Sequence, residues 1–267
     1  MRIFFERIAD FITRVFDIAL QNFLFGLAVF SAAVAPLTVM LMFAGTYRLI
    51  AEGAHPVRIA ATAANSGPVL GLVAILTLLA VFLAWWLVFA RILLTWRGSD
   101  HSLHACVMLV RKRFLRLLGV ISVLLLILGG FALVAGLAGG VLVDALGQAS
   151  FPILMMLFFA FGGWFQVRFL PVFAVALMED GIGIFGSISR AYALTIKTWI
   201  WLFLSLVIVA LLMVMLERVI QYLAFIPELG VVLLFAHFVF AQIVGMGVAG
   251  AAYMTLIEDE NGWVNSR

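Results

Sequence analysis

Long runs of apolar residues dominate the hydropathy pattern along the 267-residue chain. Each run reaches the roughly 20 residues that a helix needs to cross a bilayer, and the runs lack the period-two alternation of barrel strands. The pattern therefore predicts an all-α, polytopic transmembrane helical bundle of about six spans, with short amphipathic interfacial helices. The predicted spans lie near 22–44, 68–90, 117–141, 152–178, 198–216 and 231–256.

The first twenty residues form an amphipathic segment ahead of the first span. Apolar side chains recur at helical spacing through residues 3–19, and charged side chains of both signs fill the other face. Two structures fit this pattern: a helix lying in the headgroup plane, or an extension of the first spanning helix. Glu6, Asp10 and Asp17 disfavour a cleaved signal peptide, whose first region is short and positive.

Composition excludes an ordinary soluble domain. The chain is 66% apolar and 11% charged, whereas a soluble domain averages roughly 45–50% apolar and about 25% charged residues. A soluble fold needs polar cover for its surface, but lipid tails solvate an apolar surface directly. The connections between spans are short, so residues 1–267 are predicted to form one integral membrane domain.

Lysine and arginine are distributed as the positive-inside rule requires. If the amino terminus is inside, the inner segments hold thirteen of the sixteen basic residues, and only Arg48, Arg58 and Arg218 lie outside. This bias predicts that both termini are cytoplasmic. The formal net charge of +3 is too small to indicate a nucleic-acid partner.

Arg168 is the most informative polar residue, because it stands inside an apolar run where a cation costs about 2.5–3.5 kcal/mol. Pro171 removes a backbone N–H and predicts a kink nearby. Three roles stay open for Arg168. It could snorkel to the interface, leaving 172–178 outside the hydrocarbon; it could bond the freed carbonyl or stack on Trp164; or it could bind a lipid phosphate.

A basic cluster marks the entry to the third span. It comprises Arg111, Lys112, Arg113 and Arg116. Each such cation contributes about 1 kcal/mol of attraction to an anionic leaflet. The cluster is therefore both a topology anchor and a candidate site for anionic lipid headgroups.

Other polar residues have weaker signals. His237 and Gln242 fall in the sixth span, where they could bond a neighbouring helix or serve a transport pathway. Glu179 and Asp180 are predicted to favour the start of the following helix electrostatically. Laying Ser102 over Ser187 also suggests a repeat with an offset of 85, in which a spanning helix is followed by a short amphipathic helix.

No residues are assigned to catalysis, a metal or a cofactor. Asp100, His101, His104 and Cys106 lie close in sequence, but a closed metal shell would need a further ligand, and capping of a surface helix by Ser99 or Asp100 is favoured. The chain shows no Gly-rich phosphate loop, no HExxH and no Gly-x-Ser-x-Gly elbow. The sequence thus predicts a protein that is not an enzyme.

Residues 168–181, RFLPVFAVALMEDG, followed by Gly186 to Thr195 and Trp199, carry a family resemblance. The arginine, the proline in an apolar run, the Glu and Gly, and the Ser/Arg-containing short helix resemble the membrane domain fused to some bacterial glycerophosphodiester phosphodiesterases and related stand-alone six-helix proteins. Residues 98–114 and 253–262 match more loosely, and the latter lack the family's arginines. The resemblance implies a six-helix bacterial inner-membrane module, without phosphodiesterase activity because residues 1–267 hold no soluble catalytic domain.

The function predicted from these observations is that of a non-enzymatic integral inner-membrane protein. It would act as a lipid-binding module, or as a scaffold for partner membrane proteins, with anionic headgroups at the cytoplasmic side as its lipid partners. The alternative is a transporter or permease subunit, which the repeat, the kinked fourth span and the polar residues of the sixth span favour. That alternative requires a wet cavity reaching Arg168.

Overall fold

The computed structural model describes residues 2–43, 68–147, 151–223 and 227–265. Throughout those ranges the regular elements are helices and no strand occurs, so the predicted all-α class is confirmed. The helices are α1 (Arg2–Phe43), α2 (Pro68–Trp96), α3 (Leu103–Leu146), α4 (Phe151–Phe169), α5 (Val172–Met178), α6 (Ile184–Thr195), α7 (Trp199–Leu223) and α8 (Pro227–Asn265).

Six stretches in the described ranges are long and apolar enough to cross a membrane, which confirms the six predicted spans and supports an integral membrane location. Several helices extend well beyond the apolar runs. The third, for example, begins at Leu103 rather than near residue 117 and continues for 44 residues, because nothing in its amphipathic first turns breaks a helix. The stretches are Phe4–Val39, Gly71–Trp96, Leu103–Val141, Leu154–Met178, Trp199–Leu223 and Val232–Glu260.

Helix α1 joins the amphipathic segment and the first span without a break, as expected for an extension of the spanning helix. Its buried side chains recur every three or four residues, at Ile8, Phe11, Val15 and Ala19. The same stripe buries Asn22, whose amide nitrogen donates to the Ile18 carbonyl over 2.9 Å. This bond satisfies the polar group within its own helix. Arg48 and Arg58 lie outside the described residues.

The chain divides into two compact units. Unit 1 contains Met1–Thr13, Met108–Ile208 and Val248–Arg267, and unit 2 contains Arg14–Val107 and Val209–Gly247. Arg168 and the basic cluster at 111–116 belong to unit 1. His237 and Gln242 belong to unit 2.

Within unit 1, the predicted interruption of the fourth span is present. Helix α4 ends at Phe169 and α5 begins at Val172, with Pro171 at the N-cap. Pro171 lacks an N–H and disfavours helical backbone at the preceding residue. The carbonyl of Pro171 accepts from Val175 over 2.9 Å and so starts α5. The residues of α5 are almost all buried, so this short helix lies inside unit 1.

The connection from α5 to α6 turns at Gly181, whose φ of +76° is a left-handed value that favours glycine. Helix α6 then begins at Ile184 and packs on α3 at Gly119. A side chain at Gly119 would meet the Ile184 side chain at less than van der Waals distance. The absence of a Cβ at Gly119 therefore allows α6 to approach α3 closely.

In unit 2, α2 ends with a second left-handed glycine, Gly98 at φ +65°. The N–H groups of Gly98 and Ser99 bond to carbonyls in the last turn of α2 over 3.1 Å, the pattern of a Schellman motif. Helix α3 is capped by Ser102, whose hydroxyl accepts from Ala105 over 3.3 Å. Asp100 accepts from the Ser102 N–H over 2.9 Å. The prediction that Ser99 or Asp100 caps α3 is therefore wrong by two or three positions, because the helix starts directly after Ser102.

The suggested repeat stays a prediction: some positions 85 apart are both buried, but the helix boundaries differ. The first copy runs without a break into α3, whereas in the second copy three residues separate α6 from α7. Buried residues 85 apart include Cys106 and Ala191, Val110 and Thr195, Leu117 and Leu202, and Val120 and Ser205.

Candidate functional site

Arg168 lies in the last turn of α4 and is only 7% exposed. Two aromatic side chains flank its guanidinium. The Arg168 Cζ is 5.1 Å from the ring centroid of Tyr192 on α6 and 6.0 Å from that of Trp164 on α4. Both rings are partly exposed. We call these three residues the Arg168 site.

The guanidinium of Arg168 is short of hydrogen-bond acceptors. Its Nε and Nη1 atoms are fully buried and have no hydrogen-bond partner among the residues that the structure describes. Buried donors are paired in the great majority of native structures, and a buried charge without a partner is costly. An acceptor of opposite charge would satisfy these donors, which lie in the plane of the guanidinium fork.

Thr195 connects α6 to the end of α4. Its hydroxyl oxygen lies 3.1 Å from the Arg168 carbonyl and also 3.1 Å from the Ala191 and Tyr192 carbonyls of its own helix. One proton is thus shared among three acceptors. Thr195 is fully buried, and this contact fixes the position of α6, and with it Tyr192, next to the Arg168 site.

The structure contains some of the contacts predicted for Arg168 and lacks others. The predicted contact with Trp164 is present, but the nearer ring is that of Tyr192, which the sequence pattern did not identify as a partner. A carbonyl at the break is bonded by Thr195 rather than by the guanidinium. Residues 172–178 are buried inside unit 1.

A row of aromatic rings supports the Arg168 site along α4. Phe131 of α3 stacks on Phe161 of α4 with centroids 3.5 Å apart. Further along α4, Phe161 contacts Phe165 at 6.0 Å and Phe165 contacts Phe169 at 4.7 Å. The row ends at Tyr192, 6.3 Å from Phe169. These contacts hold α3, α4 and α6 together around the guanidinium.

Charged side chains of unit 1 form a second feature, which we call the charged cluster. At its centre, Arg190 of α6 donates to both carboxylate oxygens of Glu260, with 2.9 Å between Nη1 and Oε1. Its Nε also lies 3.5 Å from Glu179. The hydrogen bond with Glu260, together with the charges of both carboxylates, raises the pKa of Arg190. The members are Arg7, Lys112, Arg113, Arg116, Glu179, Asp180, Arg190, Asp259 and Glu260.

The predicted basic cluster at 111–116 separates into two pairs. Arg113 is buried and its Nη2 pairs with Asp180. Arg116 donates to the Glu179 carbonyl over 2.7 Å and to the Ala176 carbonyl over 3.2 Å. These carbonyls belong to the C-terminal end of α5, which a cation stabilises. Because Arg113 and Arg116 are three residues apart on one helix face, both reach the same connection.

Arg111 and Lys112 point elsewhere and are exposed. The Lys112 Nζ is 4.0 Å from Asp180, a weak contact between two exposed groups. Together with Met108 and Leu109 they line a shallow cavity of about 440 Å³. Of the four residues in the predicted basic cluster, these two remain exposed at the surface.

Glu179 and Asp180 do not start α6, contrary to the prediction. Gly183 is the N-cap of α6, no side chain caps it, and its first turn contains no acidic residue. The two carboxylates instead pair with Arg190 and Arg113, which come from α6 and α3.

Next to the charged cluster, unit 1 contains a cavity of about 480 Å³. Arg7 and Asp259 pair across part of it over 3.3 Å, and Arg190 pairs with Glu260 at another part. The charged groups that line this cavity thus largely neutralise one another. Its lining consists of Arg7, Arg190, Ala193, Leu194, Ile196, Lys197, Thr198, Leu256, Asp259 and Glu260.

In unit 2, His237 and Gln242 are half-buried on α8. The Nδ1 atom of His237 is buried and has no hydrogen-bond partner within the described ranges. Arg91, which the sequence pattern marked only as a topology signal, lies with its Cζ 4.3 Å from the ring centroid of Phe25. Arg91 directly follows the predicted span 68–90 and precedes the apolar residues 92–94, and this position between two apolar segments was the signal that could have identified it.

The described residues bring no three His, Cys, Asp or Glu side chains together in a way that could hold a metal ion. His101 contacts the Ser99 carbonyl over 3.3 Å. Cys106 is buried, and its sulfur lies 3.8 Å from the His101 carbonyl. The local group at 100–106 is accounted for by the turn that starts α3.

Comparison with known proteins gives no relative. No family model, no curated protein and no solved structure matches the chain. The resemblance to the phosphodiesterase-linked membrane domain therefore stays a prediction.

Proposed function

We propose that this protein is a non-enzymatic integral membrane module that binds anionic lipid headgroups, with the Arg168 site as its specific contact. The observation that carries the proposal is the buried guanidinium of Arg168, whose Nε and Nη1 have no acceptor among the described residues. A lipid phosphate supplies charge and two oxygens to a planar fork. The arginines of the charged cluster, in contrast, already have carboxylate or carbonyl partners.

The surface of α3 supports the proposal independently. Arg111 and Lys112 are exposed beside Met108 and Leu115, which are 50% and 81% exposed. A basic pair next to exposed apolar side chains suits the boundary between headgroups and hydrocarbon. This pair would attract anionic lipid to the same unit without fixing an individual molecule.

The positive-inside distribution supports a cytoplasmic position for the charged cluster and both termini, and the proposal assigns the protein to a bacterial inner membrane. A lipid held at the Arg168 site would contact α4 and α6 together. The module could thereby present a lipid-dependent surface to partner membrane proteins, which is the scaffolding role.

A transporter or permease subunit is the second candidate. The break at Pro171 and the unpartnered Nδ1 of His237 favour it. The cavity of about 480 Å³ is not lined by Arg168, so it is not the wet path that this candidate needs. Cysteines at 164–172 and 237 that react with membrane-impermeant reagents from one side would favour transport, and complete protection would count against it.

Native mass spectrometry of the full-length protein in mild detergent tests the lipid proposal. We expect the wild type to retain anionic phospholipid and Arg168→Gln to lose most of it. Arg97→Gln is a matched control, because Arg97 is an exposed arginine outside both features. Equal retention by the wild type and Arg168→Gln would overturn the proposal.

A further inference from the structure

We infer that the Arg168 site takes a singly charged oxyanion carried on a hydrocarbon chain. The phosphodiester of phosphatidylglycerol and the carboxylate of a fatty acid both belong to this class. Doubly charged phosphomonoesters and zwitterionic headgroups do not. The inference rests on the proposed function and names the ligand class of that same site.

The charge of the ligand follows from the charges around Arg168. The four carboxylates of the charged cluster each contact another arginine: Glu179 and Glu260 contact Arg190, while Asp180 and Asp259 contact Arg113 and Arg7. None of them pairs with Arg168 within the described part of the chain. The site thus offers one unbalanced positive charge in a buried setting.

A ligand with one net negative charge neutralises Arg168. A ligand with any other net charge leaves a net charge in the buried, poorly solvated Arg168 site. A phosphomonoester has a second pKa of about 6 and is largely a dianion at pH 7.5. Binding it would bury one excess negative charge. A zwitterionic headgroup brings its own ammonium and leaves one excess positive charge. Both outcomes incur a desolvation penalty that a monoanion avoids.

The aromatic rings set the direction from which the ligand approaches. Tyr192 and Trp164 lie within 5.1 and 6.0 Å of the Arg168 Cζ. The N–H groups of a guanidinium point outward in its plane, so an oxyanion bonds at an edge rather than over a face. The two rings are each 37% exposed, and they mark the side on which the site reaches the surface of unit 1.

The surface of α4 shows why the oxyanion should carry hydrocarbon. The turns before Arg168 expose apolar side chains, including Met156 at 73% and Phe159 at 68%. From Met155 to Trp164 the helix rises about 13.5 Å, a little under half of the roughly 30 Å hydrocarbon core and hence close to one leaflet. Gln166 then follows as an exposed polar residue. An acyl chain lying along this surface would place its headgroup at Arg168.

The test measures the affinity of the full-length protein in zwitterionic detergent for four lipids at pH 7.5: phosphatidylglycerol, oleate, phosphatidic acid and phosphatidylcholine. We expect phosphatidylglycerol or oleate to bind at least about tenfold more tightly than the other two. The reason is that burying an excess charge costs more free energy than a tenfold change in Kd represents. The tighter of the two monoanions identifies whether the group is a phosphodiester or a carboxylate. In Arg168→Gln this preference should disappear, and in Arg97→Gln it should stay.

Phosphatidic acid or phosphatidylcholine binding as tightly as both monoanions would overturn the inference while leaving lipid binding itself intact. A preference for monoanions that survives in Arg168→Gln would also overturn it, since the selective group would then lie elsewhere. Absence of binding by all four lipids would overturn the proposed function together with the inference. Circular dichroism of each variant confirms that the helices are retained, and Arg168→Lys provides a folded variant that keeps the charge but lacks the planar fork. We expect Arg168→Lys to keep the order of the four lipids with weaker binding throughout.

Discussion

The guanidinium carbon of Arg168 lies 5.1 Å from the ring centroid of Tyr192, although the break at Pro171 separates the helices that carry them. The contact depends on Thr195, which bonds the Arg168 carbonyl and so places α6 against the end of α4. The break is therefore what allows a residue of α6 to cover a cation of α4. A continuous helix through Pro171 would carry the chain away from this position.

Replacing Tyr192 by leucine should weaken lipid binding, whereas Tyr192→Phe should not. A cation over an aromatic face gains about 0.5–1 kcal/mol at exposed sites and about 2 kcal/mol when desolvated. Tyr192 is partly exposed, so we expect a loss near 1 kcal/mol, or about fivefold in affinity for phosphatidylglycerol. Equal affinities of the leucine and phenylalanine variants would show that the ring does not support the guanidinium.

Removing the charge of Arg168 should not destabilise the delipidated protein. Arg168→Met keeps an unbranched apolar stem and removes a buried charge whose Nε and Nη1 have no partner among the described residues. In delipidated detergent we expect the variant's Tm to equal or exceed that of the wild type. Added anionic lipid at 100 times its Kd should stabilise the wild type by about 2.7 kcal/mol and leave the variant unchanged.

A lower Tm of Arg168→Met without lipid would contradict this expectation, because it would mean that the guanidinium is satisfied inside the protein. Arg190→Met serves as the comparison. It removes an arginine that is bonded to Glu260 and Glu179, and its Tm should fall with or without lipid.

Breaking the centre of the charged cluster should destabilise unit 1. Arg190→Gln leaves Glu260 and Glu179 without their cation, and hydrogen bonds between charged groups contribute about 1.5–3 kcal/mol. The side chains of Arg190 and Glu260 are 32% and 42% exposed, so solvent screening reduces the expected loss to about 1–2 kcal/mol. Denaturant unfolding measures it, and a higher salt concentration should shrink the difference.

The charge swap Arg190→Glu with Glu260→Arg is the control for that experiment. It restores an opposite pair in the reverse orientation, so part of the lost stability should return. Arg111→Gln, at an exposed position of α3, should have little effect. If the swapped variant is no more stable than either single variant, Arg190 and Glu260 are not energetically coupled.

Asp100 should make the stability of the first turn of α3 depend on pH. Hydrogen bonds from the Ser102 backbone N–H and then from its hydroxyl lower the pKa of Asp100. Since the folded pKa lies below the unfolded one, the contribution is present above the usual aspartate range and is lost as pH falls through the lowered value. Amide exchange in the first turn of α3, corrected for intrinsic rates, should therefore speed up on acidification.

Asp100→Asn should show no such step with pH, because an amide can accept the bond but does not titrate. Ser102→Ala removes the capping hydroxyl and should speed exchange at every pH. An acid-induced step that persists in Asp100→Asn would assign the effect to another group.

The contact between Gly119 and Ile184 predicts that the effects of substitutions at these two positions on stability are coupled. Gly119→Ala would crowd the Ile184 side chain, and overpacking of this kind costs about 1–3 kcal/mol. Ile184→Ala in the same chain should recover part of that loss, which a double-mutant cycle in chemical denaturation measures. Gly129→Ala is the matched control, because nothing lies within 4 Å of its added Cβ. That variant should unfold at the same or a slightly higher denaturant concentration.

The features that the sequence predicted correctly are those that a short stretch of chain determines. Six apolar runs of sufficient length specify six helices, and Pro171 interrupts the fourth because it lacks an N–H whatever surrounds it. The contact between Arg168 and Trp164 was predictable for the same reason, since four residues make one turn of a single helix.

The partners that the sequence did not predict come from distant parts of the chain. Arg113 meets Asp180 across 67 positions and Arg190 meets Glu260 across 70. Helical periodicity gives the face on which a side chain lies but not the helix that will pack there. For that reason Arg113 and Arg116 were grouped with the exposed Arg111 and Lys112, and Tyr192 was not linked to Arg168.

The length of α3 has a mechanical consequence. Its 44 residues extend about 66 Å, more than twice the roughly 30 Å of a hydrocarbon core. A stiff rod of this length responds to a thinner or thicker bilayer by changing its tilt. Arg113 and Arg116 sit near one end of that rod, so a tilt displaces them relative to the α5–α6 connection that they hold. The Arg113–Asp180 ion pair and the Arg116 hydrogen bonds to the Ala176 and Glu179 carbonyls would then respond to membrane thickness.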